Sequence, residues 1–92
     1  MDLQKNPNFR IKGNAIAELN MTIHERDNYS CVNCGEYVSI AEKWHHEPCG
    51  RQKEDKPEKG CLLCWTCHQK RESKYGEPIK QKCLEYLKKL YS

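Results

Sequence analysis

The residues with chemical potential in this 92-residue chain are its seven cysteines and four histidines. Four cysteines fall into two CxxC pairs, Cys31-Val32-Asn33-Cys34 and Cys64-Trp65-Thr66-Cys67, with residues 35–63 between them. Zinc favours tetrahedral thiolate coordination, and a CxxC turn supplies two ligands from one tight bend. Gly35, directly after the first pair, permits the backbone conformation such a turn often needs. A redox reading of CxxC calls for a βαβ setting, which this sequence lacks. The expectation is one structural Zn2+ held by Cys31, Cys34, Cys64 and Cys67. Structural zinc can supply ~10–16 kcal/mol of folding free energy, so the metal-free chain is expected not to fold. Cys61 and Cys83 read as buried apolar thiols, and Cys49 as a free thiol in a polar loop.

Three histidines flank this framework. His45 and His46 close a predicted strand, and His68 follows Cys67 on the first turn of a predicted helix. Taken alone, His45 and His46 would read as polar residues at a strand end. Zinc, however, ties Cys34 to Cys64, so the intervening segment must double back as a hairpin. The helix after Cys67 then packs across it and brings His68 towards His45 and His46. A strand end facing a helix start is a compact place for a divalent ion. Neutral imidazole is both a metal ligand and a general base near neutral pH. His24 reads as an exposed helix residue with no role.

The elements that must position these groups follow from pattern. Residues 1–9 read as a flexible tail, and 10–92 as one domain. Ile16, Leu19 and Ile23 repeat at helical spacing up to about Asp27, with Asn14 as N-cap, and Asn28-Tyr29 end that helix. Residues 37–40 and 43–45 suggest one strand and 61–63 another. The charged stretch 49–60 reads as an exposed loop. A helix from near Trp65 to near Tyr75 precedes Gly76 and Pro78, natural stop and start signals. The last helix, 78–91, places Ile79, Cys83, Tyr86 or Leu87, and Leu90 on one face. Trp44 and Trp65 read as core residues.

Composition sets the bounds. Only 37% of the residues are hydrophobic, so a core this small calls for a staple. The odd cysteine count rules out full disulfide pairing within one chain. The polar start, with Asp2, Lys5 and Arg10, does not read as a signal peptide, and no apolar run is long enough to cross a membrane. A reducing cytoplasm is therefore expected. The formal charge of +3 is a weak pointer to nucleic acid. Arg26 is as well suited to a carboxylate as to a phosphate. Lys70, Arg71 and Lys74 could reach DNA phosphates or form a solvated face.

Several spaced words in order, ERDNYSCVNCG at 25–35, WHHEP at 44–48 and LLCWTCH at 62–68, preceded by RIKGNAIAEL at 10–19, resemble one family. It is the HNH endonucleases of the ββα-metal (His-Me finger) group, specifically the small zinc-stapled kind often encoded by phages. The resemblance spans about residues 10–75. It implies an α+β fold: a zinc-tied ββα core over about 29–75 with flanking N- and C-terminal helices. It implies a metal-dependent DNA endonuclease, nicking or cutting both strands. His46 would be the general base, and His45 and His68 would ligate a catalytic divalent metal (Mg2+, Mn2+, Ni2+ or Zn2+). Glu72 stands where many relatives carry a further histidine. It shares a helix face with His68, so it could add a carboxylate ligand or simply be a solvated charge. The family's base-orienting asparagine is replaced by Lys59, and its loop glycine pair is missing. The implied partners are double-stranded DNA and a phage protein, in a bacterial or phage-infected cell. The alternative is a catalytically weak or inactive zinc module that binds DNA or protein, and Lys59 is the feature that favours it.

Overall fold

A computed structural model describes residues 10–47, 50 and 53–91. The tail 1–9 and Cys49 lie outside the described residues. The described chain is a small α+β unit of three helices and one two-stranded sheet: α1 (Asn14–Arg26), β1 (His45–His46), a 3-10 turn (Pro57–Lys59), β2 (Gly60–Cys61), α2 (Trp65–Arg71) and α3 (Glu77–Tyr91). The strands are antiparallel, with His45 opposite Cys61 and His46 opposite Gly60. No helix among the described residues is long and apolar enough to cross a membrane.

Helix α1 starts one residue earlier than the Asn14 cap would place it. Gly13 is the capping residue at φ 63°, with Asn14 inside the helix. A left-handed conformation there is what glycine tolerates. Ile23 is fully buried and Leu19 packs on the core, while Ile16 is only partly covered. Asn28 and Tyr29 end the helix, both at positive φ. His24 is not exposed as expected but fully buried. Its Nδ1 lies 2.8 Å from the Asn20 carbonyl and its Nε2 2.9 Å from the Ser39 carbonyl.

Those contacts explain why the strand expected over 37–45 shrinks to His45–His46. The Asn20 amide donates to the Ile40 carbonyl at 3.1 Å, and its oxygen accepts the Trp44 N–H at 3.1 Å. Side chains of α1 thus occupy the backbone groups that a ladder would need. Ser39–Glu42 closes as a turn, and Tyr37 makes only an isolated bridge to Ser30.

The second expected strand, 61–63, is realised as Gly60–Cys61. Leu62 is buried, but its N–H bonds the Asp27 carboxylate at 2.9 Å and its carbonyl accepts the Val32 N–H at 2.9 Å. Asp27 also takes the Arg26 guanidinium at 2.7 Å and 3.0 Å and the Tyr86 hydroxyl. This one buried carboxylate therefore ties the end of α1 to α3 and to Leu62 just after β2, and Arg26 pairs with it as one of its two expected partners. The stretch 49–60 is not simply an exposed loop. Asp55 and Gly60 are buried, and residues 57–59 form the 3-10 turn.

Helix α2 ends at Arg71, short of Tyr75. Gly76 follows a tight turn in which a Cβ would run into the Arg71 backbone, so no larger residue fits there. Helix α3 then runs as its pattern implied, with Ile79, Cys83 and Leu87 buried and Tyr86 partly so. Leu90 is exposed. The core joins these to Val38, Trp44, Cys61 and Leu62. Trp65, expected in the core, is 69% exposed because its helix turns Cys67 inward instead.

Candidate metal centres and active-site cleft

The two knuckles meet. Sulfur atoms of Cys31, Cys34, Cys64 and Cys67 all lie within 4.8 Å of one another, and Cys34 Sγ is 3.6 Å from Cys64 Sγ. A tetrahedral ZnS4 centre with bonds of ~2.3 Å separates its sulfurs by about 3.8 Å, so these four cysteines are placed to chelate a metal such as zinc. The first CxxC comes from the Ser30–Tyr37 turn and the second from the entry to α2, where Cys64 caps the helix and Cys67 lies on its buried side. Burial opposes ionisation of Cys31, but N–H groups of Cys64, Cys34 and Asn33 outweigh it and bring that thiol down to about 7. Burial pushes Cys67 up to about 12, against the Asn33 amide, which donates to its sulfur at 3.3 Å. Four crowded thiols cannot all ionise unless a cation offsets their repulsion.

The histidines form a second cluster. His45, His68 and Glu72 each bring a ligand atom within 4.8 Å of the others. The His45 and His68 rings meet edge to face at 4.9 Å, and His68 Nε2 lies 3.2 Å from Glu72 Oε2 across one turn. His45 is 1% exposed. Its Nε2 donates to Glu47 at 2.8 Å, which leaves Nδ1 as the lone-pair nitrogen. Nδ1 is buried and has no hydrogen-bond partner among the described residues. A metal-binding histidine commonly donates its other N–H to a carboxylate, and an orphaned buried acceptor fits a ligand. Glu47 is itself clamped by Arg71 at 2.9 Å and 2.7 Å. Burial would raise the Glu47 carboxyl, but His45 and Arg71 hold it at about 2. Arg71 is thereby committed to the protein interior.

His46 lies beside this cluster. Its ring packs on Trp44 at 4.0 Å, and its Nε2 sits 2.9 Å from Asp55 Oδ1. Burial moves the His46 ring below the ordinary histidine range, against the pull of Asp55. Burial, with the neighbouring His45, lowers His68 likewise, against Glu72. Both rings therefore favour the neutral state that can accept a proton or a metal. A cavity of about 200 Å³ opens onto His45, His46, His68 and Glu72, with Lys43 and Lys53 also lining it.

All the sequence-predicted residues therefore converge: four cysteines in one cluster, and His45, His46, His68 and Glu72 on one cavity. Lys59 contributes its carbonyl, which accepts the Glu47 N–H at 2.9 Å. Sequence reading passed over Glu47, Asp55 and Asn33. Glu47 sits one residue after the histidine pair, a usable signal. Asp55 gave none, because it lies among many loop charges. No family model, curated protein or solved structure matches the chain.

Proposed function

We propose that the chain is a metal-dependent endonuclease of the HNH type that hydrolyses phosphodiester bonds in DNA. The reading rests on one observation above all. His45, whose buried Nδ1 has no hydrogen-bond partner among the described residues, clusters with His68 and Glu72 on the same cavity as His46. Cys31, Cys34, Cys64 and Cys67 would hold a structural Zn2+. His45 and His68, with Glu72, would hold the second divalent ion, Mg2+, Mn2+, Ni2+ or Zn2+. When bound, that ion supplies positive charge to the scissile phosphate and the departing oxygen. His46 accepts the proton of a water as its oxygen attacks phosphorus and the P–O ester bond breaks; solvent protonates the leaving oxygen. Lys43 and Lys53 offer charge for neighbouring phosphates. The expected setting is the cytoplasm of a bacterial or phage-infected cell, with double-stranded DNA and a phage protein as partners.

A second reading, an interaction module without catalysis, draws on Tyr37 and Trp65, which are 70% and 69% exposed beside the cysteine cluster. Supercoiled-plasmid cleavage separates the two. The zinc-loaded protein should nick with added magnesium, manganese or nickel, and His46→Ala should lower the rate ~10²–10⁴-fold. No cleavage above buffer with any of these metals would overturn the nuclease reading, and an undiminished His46→Ala rate would overturn the role of His46.

A further inference from the structure

We infer that Asp55 is the positioning residue for His46, setting its ring orientation and tautomer so that Nδ1 carries the lone pair facing the reaction. The inference rests on the nuclease reading for its functional meaning, but the geometry stands apart from it.

Asp55 is 8% exposed although it comes from the most charged stretch of the chain. Its two oxygens divide the work. Oδ1 lies 2.9 Å from His46 Nε2. Oδ2 accepts the Arg10 guanidinium at 2.9 Å and the Ile11 backbone N–H at 2.9 Å. Arg10, the Ile11 amide and His46 together hold the carboxyl far below its usual range, against burial. An ionised carboxylate can only accept, so the ring nitrogen facing it must be the donor. His46 is thereby fixed as the Nε2–H tautomer, and its Nδ1 is left as the acceptor.

Two further contacts support a positioning role. Trp44 covers one side of the His46 ring at 4.0 Å, which limits rotation. The register that places His46 opposite Gly60 fixes the backbone from which the ring projects. Lys59 sits at that strand edge too, but it reaches Glu47 through its carbonyl, a contact made by any residue type. The ring contact that orients His46 thus comes from Asp55.

Asp55→Asn provides the test. With its oxygen kept by Arg10 and Ile11, the new amide would point N–H groups at His46 Nε2. That inverts the tautomer and occupies Nδ1 with a proton. In serine-protease triads the equivalent change lowers kcat ~10⁴-fold by imposing the wrong tautomer. The experiment combines 15N NMR of the His46 ring in the zinc-loaded protein at neutral pH with plasmid-nicking kinetics. The wild type should show the Nε2–H tautomer. Asp55→Asn should show Nδ1–H and a kcat lower by ~10²–10⁴-fold at little-changed KM. Arg10→Ala, which removes the clamp on the other oxygen, should keep the Nε2–H tautomer and most of kcat. An Nδ1–H tautomer in the wild type overturns the proposal, and this reading needs no variant to fold. A folded Asp55→Asn with unchanged tautomer and kcat overturns it as well, and so does an Arg10→Ala protein that loses kcat as fully as Asp55→Asn. If the wild type does not nick at all, the nuclease reading falls, while the NMR arm still decides whether Asp55 sets the ring.

Discussion

Gly60 lies directly beneath the indole of Trp44, so closely that a Cβ at residue 60 would overlap the ring and stand 2.5 Å from the His45 carbonyl oxygen. This approach puts strand β2 against β1 with no side chain between them. It also seats the same indole against His46.

Gly60→Ala should therefore push Trp44 off its seat. Overpacking of a tight core typically costs ~1–3 kcal/mol, and the displaced indole would release His46 as well. The expected outcome is a lower Tm together with altered tryptophan fluorescence and perturbed His46 ring signals in NMR. A variant with wild-type Tm and an unshifted Trp44 would contradict this packing.

Removing metal from the cysteine cluster should unfold the chain. The apolar core is small, and a metal in the thiol cage contributes ~10–16 kcal/mol in comparable sites. Elemental analysis should find one zinc per chain, and a strong chelator should abolish the helical circular dichroism signal. A Cys31→Ala, Cys64→Ala double variant that keeps the native spectrum would show that the cluster is dispensable.

Arg71→Met should destabilise the protein by ~3 kcal/mol, because it takes the guanidinium from the buried Glu47 carboxylate and leaves His45 to face it. The pH dependence has a definite sign. The folded Glu47 carboxyl stands at about 2, below the unfolded value near ~4.3. Its contribution is complete above ~4.3 and is lost as pH falls towards 2. The gap between wild type and variant should be constant from pH 7 to 5.5 and narrow below ~4.5. Denaturant titrations can follow it on protein loaded with cadmium, a softer ion that suits thiolates. A gap that widens in acid would contradict the assignment.

Lys59→Asn is expected to leave the nicking rate little changed. Lys59 meets the site through its backbone carbonyl, and it does not line the cavity that holds the histidines. A large rise in rate would mean that an asparagine side chain at residue 59 reaches His46 after all.

His24→Ala should cost ~2–4 kcal/mol, since it empties a fully buried site and removes the ring N–H that reaches the Asn20 or the Ser39 carbonyl. Chemical denaturation measures it directly. A cost near zero, the figure for an exposed residue, would contradict its burial.

How much of this was legible beforehand depends on whether the information is local. Ligand spacing is local: two CxxC turns specify two half-cages of soft donors. Helix α3 was legible for the same reason, because Gly76, Pro78 and the periodic Ile79, Cys83 and Leu87 lie within one segment. The convergence of His45, His46 and His68 was legible once the two cysteine pairs were joined, since bringing them together forces the intervening chain to fold back.

What tertiary structure alone decided is where the polar groups find partners. Asn20 and His24 take up backbone groups of residues 39–44, and so a pattern that read as a strand became irregular chain. Asp27 gathers Arg26 from α1, Tyr86 from α3 and the Leu62 amide from the chain after β2. Asp55, one charge among many in its loop, is drawn inside by Arg10, the Ile11 amide and His46, which precede it by 45, 44 and nine residues. A buried carboxylate must be matched by donors, and those donors are distant in the chain. Periodicity and spacing report the backbone and the ligands; the partners of a buried charge exist only once the chain has closed around it.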